Sequence, residues 1–189
     1  MYSRLKICGI TSLDDALITL EIGAHWLGFN FYPESPRYVE PNTAAEIIEE
    51  IKGLVHCVGI LVKPTLNEAK AVISRTQIDR IQIYDPQGFN DLSQLGIPSI
   101  IGYQVKSSGT EAYDMMGADM ILLDGYSKSL SGGTGKTFNW DLIPEDIPRE
   151  ELVLAGGITP ENIGEALRKV NPAVIDVASG SEKAPGVKD

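Results

Sequence analysis

Short apolar runs recur along the chain at intervals of about twenty to thirty residues, the length of one strand-plus-helix unit. They are Leu5–Cys8, Trp26–Phe31, Val55–Val62, Arg80–Tyr84, Ser99–Val105, Met120–Asp124, Leu152–Ala155 and Val174–Ala178. Each is rich in Val, Ile and Leu and apolar at successive rather than alternate positions, the pattern of a strand covered on both faces. Amphipathic segments lie between most of them. Ser12–Ile22 carries Leu13, Ala16, Leu17 and Leu20 on one face, with Thr11 or Ser12 as N-cap and Gly23 as the stop. Asn42–Lys52 repeats the plan with Ala45, Ile48 and Ile51, and Leu66–Ser74, Ser108–Met116 and Pro160–Lys169 follow, Pro160 suiting a first helical turn. Asn90–Leu95 and the segment after Trp140 carry the weakest pattern.

Eight such strands in βα order predict a (β/α)8 barrel, the TIM-barrel architecture, rather than an open doubly wound sheet. Ile22-Gly23-Ala24-His25 before strand two echoes Met116-Gly117-Ala118-Asp119 before strand six, a helix end, a glycine and a new strand in both cases. The stretch contains no linker, so residues 1–189 read as a single barrel domain. After strand eight come Ser179 to Asp189 with no helical pattern, so the eighth outer helix is expected to be missing. The outer faces of strands eight and one, with Val174, Leu5 and Ile7 as candidates, would then lose cover unless another segment supplies it.

Composition narrows the function. The chain has 189 residues, 43% of them hydrophobic, enough for a sizeable core. A net charge of −10 and a pI near 4.7 argue against general affinity for nucleic acid or an anionic membrane, so an anionic substrate needs a local positive site. Cys8 and Cys57 have no disulfide or metal spacing, His25 and His56 lie far apart, and no metal site is expected. Reduced thiols, no long apolar run and an N-terminus, MYSRLKICGIT, without a signal-peptide core predict a cytoplasmic protein.

The stretch SLSGGTGKTFNWD, residues 129–141, invites comparison with a nucleotide-binding P-loop, but the pattern fails twice. Leu130 stands where the first glycine is required, and Phe138 to Pro144 cannot supply the helix whose N-terminus would cradle phosphate.

Chemistry in this architecture sits at the C-terminal ends of the strands. Cys8 closes strand one before Gly9, whereas Cys57 lies inside strand three and reads as a structural thiol. Asp124 closes the apolar run of strand six; its bland alternative is a turn cap. A thiol and an acid facing each other across a barrel mouth suit proton transfer. Arg37, in a stiff loop between prolines, is either a solvated charge or a planar fork for a carboxylate or phosphate. Gly156-Gly157 and Ser179-Gly180 follow strands seven and eight, where barrels of this type bind phosphate, though glycine pairs also serve as caps and turns.

Five segments together carry a signature along the whole chain: Lys6-Ile7-Cys8-Gly9-Ile10-Thr11; Phe31-Tyr32-Pro33-Glu34-Ser35-Pro36-Arg37-Tyr38-Val39; Gly132-Gly133-Thr134-Gly135 with Phe138 and Trp140; Leu154-Ala155-Gly156-Gly157-Ile158; and Pro185-Gly186-Val187-Lys188-Asp189. The chain resembles the phosphoribosylanthranilate isomerases of tryptophan biosynthesis. The resemblance implies an Amadori rearrangement of N-(5-phosphoribosyl)anthranilate to 1-(2-carboxyphenylamino)-1-deoxyribulose 5-phosphate. It implies Asp124 as general acid, Cys8 as general base and Arg37 on the anthranilate carboxylate. Gly156, Gly157, Ser179 and Gly180 would hold the phosphate, Asp176 would be a further substrate contact, and Gly133 would belong to an active-site loop. No cofactor or metal is implied, because the substrate's own nitrogen becomes the electron sink. A free thiol is only a few per cent ionised at neutral pH, so the site must lower the thiol pKa or work with the small fraction. One departure stands out: Gln82-Ile83-Tyr84-Asp85 replaces the family's Gln-Leu-His-Gly. Two alternatives stay open: a related phosphosugar isomerase of the same fold, and a catalytically weakened relative with a binding role. The expected partner is a small phosphosugar, and a monomer and a homodimer are equally compatible with the sequence.

Overall fold

The computed structural model describes residues 2–105, 113–125 and 137–189. Eight strands, β1 Arg4–Cys8, β2 Trp26–Asn30, β3 His56–Val62, β4 Arg80–Tyr84, β5 Ser99–Val105, β6 Met120–Gly125, β7 Leu152–Leu154 and β8 Val174–Val177, pair in chain order. They close into a barrel, and every pairing, β8 with β1 included, is parallel. All eight expected strands are present, each within about two residues of its expected ends.

Four α-helices flank the barrel among the described residues: α1 Leu13–Glu21, α2 Pro41–Glu50, α3 Leu66–Thr76 and α4 Ile163–Val170. Their starts follow from local side chains. Ser12, not Thr11, caps α1 by accepting the Asp15 N–H at 3.2 Å. Glu40 caps α2, and Thr65 with Glu68 forms a reciprocal capping box on α3. Helix α4 begins three residues later than Pro160, with Asn162 at its cap, so Pro160 lies in the preceding turn rather than in the first helical turn. The expected helix Ser108–Met116 falls largely outside the described residues; within them, residues 113–115 are not helical and Met116 lies in a turn. Asn90–Leu95 and the segment after Trp140 yield only short 3-10 turns, Leu92–Leu95 and Trp140–Leu142. No helix of the described residues is long and apolar enough to cross a membrane.

The strand pleat separates two cores. Outward residues such as Leu27, Phe29, Ile81, Ile83 and Leu154 pack under helix residues Ala16, Ala44, Ile47, Ile48 and Ala166. Each large aliphatic or aromatic side chain so buried contributes about 1.5–3 kcal/mol. Inward residues Trp26, Val58, Ile100, Met120, Leu122, Val153 and Val174 fill the barrel. Val174 therefore faces the interior, not the outside as anticipated; counting the pleat from Leu5 and Ile7 across the β1–β8 register makes Ile175 and Val177 the outward pair.

Beyond β8 the described chain contains no α-helix. A 3-10 turn, Ser179–Ser181, leads into a hairpin of β9 Glu182–Ala184 and β10 Val187–Lys188. The hairpin folds over the loop after β1: Thr11 Oγ1 donates to the Gly186 carbonyl at 2.6 Å, and the Lys188 N–H reaches Asp15 Oδ1 at 3.3 Å. It covers the mouth of the barrel rather than its flank. Ile7, Ile175 and Val177 are nonetheless buried, Leu5 is half-buried, and the visible deficit is on α1, where Leu17, Ile18 and Ile22 are exposed.

Candidate active site

Two tiers of polar side chains stand above the apolar filling. The lower tier is Lys6 on β1, Gln82 on β4 and Asp176 on β8. The upper tier is Cys8, Tyr84 and Asp124, each at or beside the C-terminal end of its strand, two residues along from Lys6, Gln82 and Leu122. A spacing of two keeps each pair on one face of its strand. Glycines make room in the upper tier. A Cβ on Gly28 would come 2.9 Å from the Cys8 sulfur, and one on Gly102 would come 2.5 Å from the Tyr84 ring.

Lys6 is fully buried. Its Nζ donates to Asp176 Oδ2 at 2.6 Å and to Gln82 Oε1 at 2.9 Å, and Gln82 Nε2 donates on to the Tyr84 hydroxyl at 3.1 Å. Burial alone would pull the ammonium's pKa down, but Asp176, Cys8 and Asp124 together outweigh it and hold Lys6 above its ordinary value. Asp176 Oδ1, buried, finds no partner among the described residues. A buried acceptor left open costs about 1–3 kcal/mol, so this oxygen is set to receive a donor.

The same field acts on the two proton-transfer candidates. Burial, then the Asp176 carboxylate, push the Asp124 carboxyl up to about 7, against the pull of Lys6 and a hydrogen bond from the Gly125 N–H. Burial also raises the Cys8 thiol, although Lys6, Lys188 and Arg37 all work to lower it. The thiol pKa is thus raised rather than lowered. Tyr84 is pushed well above the usual phenol range by burial, then by Asp124, Asp176 and Cys8, so the hydroxyl stays protonated. Cys57 behaves as expected of a structural thiol. It is buried on the outward face of β3, and burial, aided by Asp79, takes it to about 12.

Arg37 reaches the rim beside Cys8, its Cδ lying where a side chain on Gly9 would be. It is not a solvated loop charge: the residue is buried and ion-paired, Nη2 lying 2.7 Å from Glu182 Oε2. Asp85, by contrast, is exposed and lies 3.9 Å from the exposed Lys63, so its charge is spent in solvent rather than on the site.

Gly156-Gly157 and Ser179-Gly180 come together across the rim. A Cβ on Gly180 would run into the Ile158 carbonyl oxygen, and one on Gly156 would come 2.6 Å from Asp124 Oδ1. The N–H groups of Gly157, Ser179 and Gly180 have no backbone or side-chain acceptor among the described residues, which leaves a cluster of donors open to an anion. Gly133 lies outside the described residues. Where the description resumes, residues 137–139 are not helical and Trp140–Leu142 is one 3-10 turn capped by Asn139.

Strand-end reasoning therefore brought Cys8, Asp124, Asp176, Arg37 and the two glycine pairs to one end of one barrel. It missed Lys6 as a buried charge held by Asp176 and Gln82, although a lysine two positions before Cys8 in the run Leu5–Cys8 was the available signal. It also gave no role to Glu182, whose partner Arg37 lies 145 residues away, or to Lys188, which bonds Glu182 and the Cys8 carbonyl.

Residues 5–189 match the family model of N-(5'-phosphoribosyl)anthranilate (PRA) isomerase. The N-(5'-phosphoribosyl)anthranilate isomerase of Geotalea uraniireducens is 41% identical over 191 residues, covering 99% of this chain and 93% of that protein. The crystal structure of phosphoribosyl anthranilate isomerase from Thermus thermophilus superimposes with a TM-score of 0.83 at 31% identity, covering 98% of this chain and 92% of the other. A phosphoribosyl anthranilate isomerase in complex with reduced 1-(o-carboxyphenylamino)-1-deoxyribulose 5-phosphate is similar over 100% of this chain and 93% of its own, with a TM-score of 0.78 and 35% identity.

Proposed function

The chain belongs to the N-(5'-phosphoribosyl)anthranilate isomerase family, an enzyme family, and from that membership we propose that it catalyses the Amadori rearrangement of N-(5'-phosphoribosyl)anthranilate, with Asp124 as general acid and Cys8 as general base. The observation that carries this assignment of roles is the pairing, at one barrel mouth, of a carboxyl raised to about 7 with a thiol flanked by three cations.

Asp124 gives its proton to the furanose ring oxygen as the C1–O bond breaks, and the anilino nitrogen supplies the electron pair that makes C1 a Schiff-base cation. Cys8 takes the proton from C2, made acidic by that cation, and the enolamine tautomerises to the ketone. A carboxyl near 7 is well matched to donating a proton at neutral pH. The thiol is poorly ionised in the free enzyme, but the Schiff-base cation adds a positive charge beside it when the base is needed. Arg37 takes the anthranilate carboxylate. The N–H groups of Gly157, Ser179 and Gly180 take the phosphate, and the open Oδ1 of Asp176 accepts from a sugar hydroxyl.

The pH dependence of kcat/KM tests these roles. The active form needs Asp124 protonated and Cys8 ionised, with the acid's pKa below the base's. Because the acid's pKa lies below the base's, only a minor fraction of free enzyme molecules carries both states at once. The rate is expected to rise with pH, level off at about 7 where Asp124 titrates, and fall only at the higher pH where the raised Cys8 thiol ionises. The break at 7 lies about one unit above the second ionisation of a phosphate ester, near 6. A rate that keeps rising through 7 to 9 would mean that Asp124 is not the acid.

A further inference from the structure

Arg37, Glu182 and Lys188 lock together beside the thiol. Arg37 Nε donates to Glu182 Oε1 at 2.9 Å and Oε2 at 3.0 Å, and Nη2 donates to Oε2 at 2.7 Å. Lys188 Nζ donates to Glu182 Oε1 at 3.0 Å and to the Cys8 carbonyl at 2.5 Å, and the Gly186 N–H adds a longer bond to Oε1. The side chains of Glu182 and Lys188 are only 3% and 2% exposed. Burial works to raise the Glu182 carboxyl, but the bonds from Arg37 and the Lys188 charge overcome it and hold it below its ordinary value.

A guanidinium carries five N–H donors in one plane and has two usable edges for a carboxylate. Glu182 takes the side edge, formed by Nε and Nη2. The end edge, formed by Nη1 and the remaining Nη2 hydrogen, has no acceptor among the described residues, and Nη1 is not among the buried atoms lacking a partner. A substrate carboxylate can therefore dock on Arg37 without displacing Glu182. A long side chain that would otherwise sample many rotamers is left with its open edge in a single direction. Lys188 ties that direction to the end of the strand that carries Cys8.

We propose that Glu182 is a positioning residue for carboxylate recognition: its side-on clamp aims the end edge of Arg37 at the anthranilate carboxylate, and Lys188 fixes the clamp to the Cys8 backbone. This rests on the assignment of Arg37 to that carboxylate. Two probes separate the claims. One is reduced 1-(o-carboxyphenylamino)-1-deoxyribulose 5-phosphate; the other is the same compound without the ring carboxylate. Calorimetric dissociation constants for both give a carboxylate preference for each protein. The unaltered chain is expected to prefer the carboxylate by roughly 10–100-fold, the size of one charged hydrogen-bonded contact. Arg37→Met should lose that preference. Glu182→Gln and Glu182→Asp should lose most of it, while binding of the carboxylate-free probe changes less than about twofold, because positioning acts only through Arg37.

If Arg37→Met keeps the preference, the Arg37 assignment itself fails. If Arg37→Met loses it but both Glu182 variants keep it, only the positioning claim fails. Tighter carboxylate binding in Glu182→Gln would make Glu182 a competitor for Arg37 and overturn the proposal. Equal weakening of both probes, or loss of the fold in both Glu182 variants, would make the triad structural and overturn it as well.

Discussion

Asp124→Asn is expected to lower turnover by about 10²–10⁴-fold, the contribution of a positioned general acid, and at the same time to make the folded protein more stable at pH 8. The second effect follows from the first residue's environment. A carboxyl raised in the native state from 3.8 to about 7 favours folding fully only while it is protonated. That contribution is present below the unfolded pKa and is lost as pH rises through about 7. At pH 8 the native protein holds an ionised carboxylate in a site that disfavours it, at a cost of up to about 4 kcal/mol, less whatever water at the mouth screens. Asparagine keeps the shape and an acceptor for the Gly125 N–H without the charge. The thermal midpoint of Asp124→Asn should therefore exceed that of the unaltered chain at pH 8, with the gap closing as pH falls toward 4. Equal midpoints at both pH values would mean that the carboxyl is not raised, and normal turnover would remove it as the acid.

Cys8→Ala is the second large effect. A general base acts in the transition state and contributes little to ground-state binding, so kcat should fall by about 10²–10⁴-fold with KM nearly unchanged. Cys57→Ala is the matched control. It removes a buried thiol from the outward face of β3 and should leave kcat intact at a modest packing cost, since no part of that residue faces the barrel mouth. An unchanged kcat in Cys8→Ala would remove the thiol from the mechanism.

The contrast between the two cysteines shows what was legible in the sequence. Strands buried on both faces read as unbroken apolar runs, so their number, order and limits came through, and with them the strand ends where Cys8 and Asp124 sit. Parity within a strand was harder. Val174 was read as outward because an all-apolar strand gives no alternation to anchor its register, and only the pairing of β8 with β1 fixes which residues face in. Helix α4 began later than Pro160 because the turn from Thr159 is closed by Asn162, whose side chain accepts the Thr159 N–H and donates to the Gly157 carbonyl. That choice depends on the neighbouring rim loop, not on local propensity.

Charges were the least legible. Lys6, in the middle of β1, is held by Gln82 and Asp176 from strands 76 and 170 residues away. For Arg37 a solvated charge and a planar fork both stayed open, because its partner Glu182 lies at the other end of the chain. The direction of the thiol's pKa was also beyond sequence. It is set by burial and Asp176 acting against Lys6, Lys188 and Arg37, which converge on Cys8 only in the closed barrel. Tyr84 shows the opposite case: it was visible as a departure at the end of strand four, and the structure gives it room beside Gly102 and a bond from Gln82.

The most direct test is turnover itself. N-(5'-phosphoribosyl)anthranilate is supplied to the purified chain and to its Cys8→Ala and Asp124→Asn variants, and the loss of anthranilate-type fluorescence is followed near pH 7.5. The unaltered chain should convert the substrate to 1-(2-carboxyphenylamino)-1-deoxyribulose 5-phosphate in many turnovers, and both variants should fall by about 10²–10⁴-fold. A well-folded chain that binds the substrate but leaves its fluorescence unchanged would contradict the isomerase assignment.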